Sequence, residues 1–223
     1  MEADLPIKYG CGSKFGCARH GEAYTLLTPG AYIQPTDGNI FWHIINYTPD
    51  TDEGKTLNAF SRAIDIWQPA FPFEIKLEPT SNVNEAHIKL FFVGKNHPEY
   101  DDVFDGEDGV LAYGFAPVDD EPLKGYILMD DGEQWADMHS STTKDLLTVF
   151  LHELGHVFNL GHESRVLQAV MYPSYSGIKH ELHPDDIEGI QAIYGRFGPP
   201  IDPPSGGCLS VLLPFLVAFG SMG

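Results

Sequence analysis

The residues with the clearest capacity for chemistry lie in one short stretch, HELGHVFNLGH, which begins at His152. On a helix, His152 and His156 are four residues apart, so their rings leave the same face and can reach one metal ion. His162 follows Gly161, a residue able to adopt the left-handed conformation that reverses the chain. Three imidazoles are typical zinc ligands, and they leave a fourth position of the tetrahedral shell open. The spacing therefore predicts a catalytic zinc site.

Glu153 directly follows the first histidine and is the candidate general acid and base. A carboxylate beside a metal-activated water would take a proton as the water attacks a peptide carbonyl, and would pass it to the leaving amine. The short HExxH pattern also occurs by chance in helices, where both histidines are surface residues. The whole eleven-residue pattern, with its third histidine, favours a zinc-dependent endopeptidase that acts on extended stretches of protein.

Three helices that must position this stretch are predicted from apolar periodicity and capping residues. The first is capped by Thr51 or Asp52, the second covers residues 142–160 and is stopped by Gly161, and the third runs from Pro184 to Gly195. The predicted buried face of the first helix comprises Leu57, Phe60, Ile64 and Trp67. That of the second comprises Leu147, Phe150, Leu151 and Leu154.

Strand signals come mostly before the second helix. Apolar runs that predict strands lie at residues 39–47, 73–77, 88–92, 111–115 and 125–129. A long acidic loop at residues 94–110 separates the third of these from the fourth. Strands first and helices late, with one helix between them, indicate an α+β fold.

Several motifs, in both sequence and order, resemble those of the metzincin clan and, within it, those of the catalytic domain of the matrix metalloproteinases, or matrixins. The motifs are INYTPD, AFSRAIDIW, FDGEDGVLAYGFAP, MDDGEQW, HELGHVFNLGH, AVMYPSY and HPDDIEGIQAIYG. The resemblance implies a zincin-like fold, in which a twisted mixed sheet and three helices surround the zinc. It also implies that Met171 lies in a tight turn beneath the metal, without binding it.

The same resemblance implies how a substrate would bind. Residues 111–115 are similar to the edge strand on which an extended peptide pairs in antiparallel fashion. Pro173 and Tyr175 are similar to the outer wall of the pocket for the side chain that follows the scissile bond. Thr148 matches the position that sets the depth of this pocket, and its small size implies room for a sizeable apolar side chain.

The acidic loop departs from the matrixin pattern for metals. Tyr113 and Leu128 stand where the family carries two histidines of a second, structural zinc site, and His97 remains nearby. We therefore expect one zinc ion per chain. An oxygen shell for calcium is expected beside the position of the structural zinc site, because carboxylates and carbonyls are the ligands that calcium prefers. Its candidate members are Asp105, Gly106, Asp108, Val110, Asp130 and Glu133. A solvated acidic loop without an ion is the alternative.

Composition bounds the remaining possibilities. The formal net charge of -19 argues against nucleic acid as a partner, and 43% hydrophobic residues indicate a globular domain in this 223-residue chain. Three cysteines exclude a disulfide-dense scaffold. Cys11 and Cys17 can pair with each other, whereas Cys17 alone stands near the position of the family's inhibitory cysteine. Cys208 is left over.

The predicted organisation has three parts. Residues 1–23 are an irregular lead-in, residues 24–196 the matrixin-like domain, and residues 197–223 a linker rich in proline and glycine followed by a short apolar tail. The tail is too short for a spanning helix, which leaves a lipid anchor and membrane association through the tail as one alternative.

The family likeness favours a secreted, extracellular protein, and Asn46-Tyr47-Thr48 is a glycosylation sequon. The first residues, MEADLPIK, do not resemble a signal peptide, so either the natural start is missing or the chain is intracellular. A second functional hypothesis is a catalytically silent binding module with the metzincin fold. The intact Glu153 argues against it.

Overall fold

The computed structural model describes residues 24–94, 97, 100, 103–118, 123–137 and 142–195. Within these residues the chain has the predicted α+β architecture. The strands are β1 (Asn39–Ile44), β2 (Lys76–Pro79), β3 (Ile88–Val93), β4 (Ala112–Gly114), β5 (Tyr126–Asp130), β6 (Trp135–Ala136) and β7 (Lys144–Asp145). The α-helices are α1 (Glu53–Trp67), α2 (Leu146–Val157) and α3 (Pro184–Tyr194).

The main sheet has five strands in the order β2-β1-β3-β5-β4. Four of them run parallel, and β4 alone pairs in antiparallel fashion, with Tyr113 opposite Leu128 of β5. The strand order places β4 at an edge of the sheet, and an antiparallel edge strand on an otherwise parallel sheet is common. The strands β6 and β7 form a separate parallel pair that leads directly into α2.

Helix α1 begins where Asp52 caps it, because the Asp52 side chain accepts a hydrogen bond from the backbone N–H of Lys55. Phe60, Ile64 and Trp67 are buried as predicted. Leu57 is the exception: it is 41% exposed, because the buried face of the helix passes through Thr56 instead.

Strand β2 begins later than predicted. The residues 73–75 lie outside it, and Phe73 is 78% exposed. The alternation of Phe73, Ile75 and Leu77 was therefore a wrong indicator for the first of these residues, since a turn closes between Pro72 and Ile75 through a backbone hydrogen bond of 2.9 Å.

The active-site helix α2 is shorter than the predicted span of residues 142–160. It cannot start earlier because Asp145 is its N-cap and accepts a hydrogen bond from the N–H of Thr148. It ends at Val157 because Asn159 takes the left-handed conformation, with φ of 78°. Its predicted buried residues, from Leu147 to Leu154, are all in the core, where Phe150 packs edge-on against Phe60 of α1 at 5.2 Å.

Gly161 does not reverse the chain, so that prediction was wrong. Its role is close approach: its N–H donates to the carbonyl of Thr25 at 2.7 Å, and a Cβ there would lie 2.8 Å from the Thr25 methyl carbon. The segment that follows Tyr24 is thereby clamped across the end of α2, and the Asn159 side chain donates to the carbonyls of Thr28 and Ala31.

The expectations for residues 1–23 and 197–223, including Cys11, Cys17, Cys208 and the apolar tail, lie outside the described residues, so the division of the chain into three parts stays a prediction. Among the helices in the described part of the chain, none combines the length and apolar character that crossing a membrane requires.

Candidate active site

Three imidazole rings converge at the end of α2. The Nε2 atom of His162 lies 3.3 Å from Nε2 of His152 and 3.3 Å from Nε2 of His156. Within the described ranges, these histidines are the one group of at least three His, Cys, Asp or Glu residues that could hold a metal ion, with ligand atoms all within 4.8 Å of one another. The helical spacing and the turn after Asn159 thus bring together the three residues that the sequence singled out.

Backbone carbonyls fix the outer nitrogens of two of the rings. His152 Nδ1 lies 2.7 Å from the carbonyl oxygen of Val170, and His156 Nδ1 lies 2.7 Å from that of Leu160. Since a carbonyl only accepts, each Nδ1 carries the hydrogen, and each Nε2 lone pair faces the cluster. The rings are held in the tautomer and orientation that a metal ligand needs.

Burial keeps the three rings uncharged. It lowers the pKa of His152 to about 3, with a further contribution from His162. It lowers the pKa of His156 well below the ordinary value, and the neighbouring imidazoles add to the effect. Burial also lowers the pKa of His162 to about 4. All three histidines are therefore neutral near pH 7, with lone pairs available.

The arrangement fits zinc. A tetrahedral ion bound to nitrogens at about 2.0–2.1 Å keeps those nitrogens about 3.3–3.4 Å apart. The two Nε2–Nε2 distances of 3.3 Å match that spacing. Neutral, carbonyl-anchored imidazoles are also the ligand chemistry that zinc prefers.

Glu153 lies between this cluster and the edge strand β4. It is 1% exposed, and the ideal Cβ position at Gly114 of β4 would be 3.0 Å from Glu153 Oε2 and 2.5 Å from its backbone oxygen. A side chain at position 114 would therefore clash first with the Glu153 backbone oxygen and with Cβ of His156, which would be 2.8 Å away, and would also crowd the carboxylate. The sequence reasoning missed Gly114, although a glycine inside a short strand is a signal of close backbone approach.

Met171 packs against Gly155, which lies on α2 between His152 and His156. Its place beneath the metal stays a prediction. The ideal Cβ position at Gly155 falls on the Met171 thioether, so this glycine makes room for the sulfur. The turn around Met171 is held through its backbone. Asp186 Oδ1 accepts from the N–H of Met171 at 3.2 Å, and Asp186 Oδ2 accepts from that of Val170 at 2.9 Å. The role of Asp186 was not apparent from the sequence, where it reads as a helix-start residue.

A cleft opens beside His152 and Glu153. It encloses about 390 Å³ of space, a volume that includes open solvent at its mouth. The residues that line it include the predicted Thr148, Pro173 and Tyr175 together with Leu111, Val149, Val170, Tyr172, Ser174, Ser176, Gly177 and Lys179. We call residues 173–180 the pocket loop, because six of them line the cleft, and we call the hydrogen-bonded pair of Thr148 and Lys179 the floor of the cleft. Lys179 was not predicted.

The last part of the acidic loop, residues 103–110, donates hydrogen bonds from its backbone N–H groups to carboxylates. Gly106 donates to Asp130 Oδ2 at 3.1 Å, and Val110 donates to Asp105 Oδ1 at 2.9 Å. Gly109 donates to Glu133 Oε1 at 3.1 Å. Glu133 Oε2 is buried without a hydrogen-bond partner. Buried oxygens of this kind are suited to a cation.

Burial raises the pKa of Asp130 and of Glu133, and neighbouring carboxylates add to both shifts. The structure does not bring the candidate oxygens of Asp105, Asp130 and Glu133 as close together as the three histidine nitrogens. The calcium assignment for these residues and for Gly106, Asp108 and Val110 therefore remains a prediction.

Tyr113 and His97, two of the residues compared above with a second zinc site, both pack against aromatic rings. Tyr113 packs at 5.4 Å from Phe104 and 6.3 Å from Phe115, and His97 packs edge-on against Phe91 at 5.4 Å. Leu128 is fully buried in β5. These ring contacts therefore lie in the region where the matrixin resemblance places histidine ligands.

Fold and site together define a zinc metallopeptidase of α+β architecture, and comparison with known proteins specifies the family. A model of the matrixin peptidases matches residues 33–195. The chain therefore belongs to the matrixin family, and the resemblance first read from its motifs is confirmed. This family membership implies a catalytic zinc, in keeping with the three-histidine group.

Curated relatives agree with the family match. The chain is 34% identical over 181 residues to the neutrophil collagenase of Homo sapiens, an alignment covering 80% of this chain and 37% of the collagenase. It is 34% identical to the macrophage metalloelastase of Oryctolagus cuniculus, over 70% of this chain and 32% of that protein. Stromelysin-1 of Mus musculus is 32% identical over the same shares. The aligned part spans about a third of each relative.

Proposed function

We propose that the chain is a zinc endopeptidase that hydrolyses peptide bonds in extended protein substrates. The observation that carries the proposal is the position of Glu153. Glu153 directly follows His152, one of the three neutral histidines arranged as zinc ligands, and its carboxylate lies near the edge strand β4. An open cleft lies beside His152 and Glu153. A general base, a metal and a peptide-binding edge are the three parts that such a hydrolysis needs.

In this proposal His152, His156 and His162 hold the zinc through Nε2. The chemistry that the ion supplies when bound is polarisation of a carbonyl and a lower pKa for water. The Glu153 carboxylate accepts a proton from the attacking water and passes it to the nitrogen of the departing amine. Burial among apolar residues keeps bulk water away from this transfer and strengthens the electrostatic interactions of the carboxylate.

The substrate would lie along β4. β4 is the last strand of the five-stranded sheet formed by the described residues, and an extended peptide would pair with it in antiparallel fashion, as in recognition by strand addition. The side chain after the scissile bond would then enter the cleft between Thr148 and the wall formed by Pro173 and Tyr175. The relatives named as a collagenase and a metalloelastase support a protein as the substrate class.

For the metals we propose one zinc ion per chain and a calcium ion held by the acidic loop. Tyr113 and Leu128 lack the nitrogen ligands of a second zinc site, whereas the raised pKa values of Asp130 and Glu133 reflect buried charge that a cation would compensate. Elemental analysis of the metal-replete protein tests the zinc count. Two zinc ions per chain would contradict it.

We further propose an extracellular location, which the likeness to matrix-degrading proteases supports. The lipid anchor predicted for the tail concerns residues 197–223, which lie outside the described residues, and it stays a prediction.

The decisive experiment is cleavage of a mixed peptide library with and without a zinc chelator. A zinc endopeptidase releases new peptide termini only in the absence of the chelator. A catalytically silent binding module with this fold would retain peptides in a pull-down without cutting them, and that result would refute the proposed peptidase activity.

A further inference from the structure

The pocket loop is tied to the N-terminus of α2 through one carboxylate. Asp145 is fully buried, and its Oδ1 accepts three hydrogen bonds. Two come from Thr148, from the backbone N–H at 2.8 Å and from the hydroxyl at 2.6 Å. The third comes from Nε2 of His180 at 2.8 Å. Since Oδ1 is the acceptor of this bond, Nε2 of His180 is its donor.

Thr148 extends this link to the floor of the cleft. Its hydroxyl has one hydrogen, which it gives to Asp145, and it accepts from the backbone N–H of Lys179 at 3.0 Å. These hydrogen bonds join His180 to Asp145, Asp145 to Thr148 and Thr148 to Lys179. The peptide bond between Lys179 and His180 closes the ring. Both Thr148 and Lys179 line the cleft, whereas Asp145 and His180 lie behind that lining.

Two more bonds hold the same loop from the sides. The hydroxyl of Tyr175 accepts from the backbone N–H of Asp145 at 3.1 Å, which fixes the outer wall. The ammonium of Lys179 donates to the carbonyl of Ala169 at 2.6 Å, which fixes the inner wall next to the methionine turn. The pocket loop is therefore hydrogen-bonded at both wall and floor to residues outside it.

We propose that His180 is a positioning residue for substrate selectivity: by donating to Asp145 it holds the floor of the cleft at a fixed depth and so limits the length of the side chain accepted after the scissile bond. This rests on the proposed function. His180 is the member of the ring best placed for this role, because it does not itself line the cleft, although it directly follows the lining residue Lys179 in the chain. Its loss would free the floor without removing a lining group.

The test compares two amides at position 180. Gln places its side-chain nitrogen near the position of the histidine Nε2, whereas Asn stops near Nδ1, one bond short of Asp145. His180→Gln therefore keeps the hydrogen bond and His180→Asn loses it. The exposed neighbour Glu181, changed in Glu181→Ala, is the matched control on the same loop. All variants are used as zinc-loaded full chains, with the wild type as reference.

The first readout is selectivity. Two peptides that differ only in leucine or homophenylalanine after the scissile bond are cleaved, and the ratio of their kcat/KM values is taken. One methylene in an apolar pocket changes such ratios by about 10–200-fold. We expect His180→Asn to reduce the preference for leucine by about tenfold, with His180→Gln and Glu181→Ala within about threefold of the wild type.

The second readout is hydrogen exchange of the Lys179 amide, which needs no activity. His180→Asn should accelerate this exchange, and His180→Gln should leave it near the wild-type rate. Equal ratios and equal exchange rates in the Asn and Gln variants would overturn the inference. Failure of the proposed function looks different: the wild type would then cleave neither peptide, while the exchange rates would still report whether His180 holds the floor.

Discussion

The histidine cluster and the carboxylates of Asp130 and Glu133, which accept backbone N–H groups of the acidic loop, are two sets of buried ionisable side chains, and burial acts on them in opposite directions. Around the cluster it lowers the pKa values of His152 and His162 to about 3 and about 4, so the rings are neutral near pH 7. In the acidic region it raises the pKa values of Asp130 and Glu133, so ionisation there works against the fold. Both effects are the cost of burying charge.

The two regions therefore stand in different relations to a metal. The imidazoles are already uncharged, anchored at Nδ1 and spaced as a tetrahedral ion requires, so the cluster is preorganised. The carboxylates accept backbone N–H groups in place of a cation, and one oxygen of Glu133 has no partner. We expect the histidine cluster to keep its geometry without a metal and the acidic loop to depend on one.

The largest expected effect concerns the chemistry next to the cluster. Glu153→Ala should bind zinc as the wild type does, because the imidazole anchors do not involve Glu153. It should lose about 10²–10⁴ in cleavage rate, the usual contribution of a general acid–base group. Peptide cleavage and zinc content are measured on the same sample. Cleavage at the wild-type rate would refute the proposed mechanism.

Removal of calcium should destabilise the acidic loop and spare the histidine cluster. A ligand present at about 100 times its Kd stabilises the native state by about 2.7 kcal/mol, so calcium depletion should lower the unfolding midpoint by a readily measured amount. Limited proteolysis should then cut near residues 103–110 first. Unchanged stability and unchanged protease resistance after depletion would show that the loop is a solvated acidic segment.

The pH dependence should separate the two regions further. The Glu133 carboxyl has an ordinary pKa of 4.5, and burial raises it in the folded state. The folded protein thus keeps this proton longer, so its contribution to stability is lost as the pH rises from about 4.5 through the raised pKa. Without calcium, Glu133→Gln should gain stability relative to the wild type over that range.

The control lies in the same curves. Burial lowers the pKa values of the histidine rings, so their contribution to stability is lost as the pH falls below 6.5 toward about 4. Both proteins carry these histidines, so this trend cancels in the difference between variant and wild type. A difference that shrinks with rising pH would contradict the burial of the Glu133 charge.

The smallest expected effect is at the base of the cluster. Met171→Leu should keep zinc and most of the activity, because Leu nearly matches the thioether in volume and Asp186 holds the turn through backbone N–H groups. Zinc content and kcat/KM are the measurements. A variant without zinc would point to sulfur as a ligand.

The sequence predicted best where local spacing determines geometry. The helical interval between His152 and His156 was sufficient to align two ligands, and Asp52, one of the two residues proposed as a cap, is the N-cap of α1. The start of α3 at Pro184 was also predicted, but its N-cap, His183, was not. It predicted less well where the outcome depends on distant chain segments. Gly161 was assigned a turn, whereas it accommodates Thr25, which is far away in the sequence.

The residues around the cleft show the same limit. No periodicity indicates that Asp145 would bond His180, or that Gly114 would lie against Glu153, because these contacts join segments that meet only in the folded chain. Helix length was overestimated for a related reason. The apolar run continues beyond Val157, but the Asn159 side chain is needed to hold Thr28 and Ala31.

The side chain of Asn46 has a consequence for biosynthesis. Its amide donates to the carbonyl of Phe92 at 2.8 Å and accepts from the N–H of Phe92 at 2.7 Å, so it extends the pairing of β1 with β3. The sequon threonine, Thr48, is 2% exposed. In a secretory compartment an oligosaccharide could be attached here only before β3 has folded against this segment. Folding and glycan transfer would compete for one amide group, and fast closure of the sheet would leave the mature chain without sugar at this position.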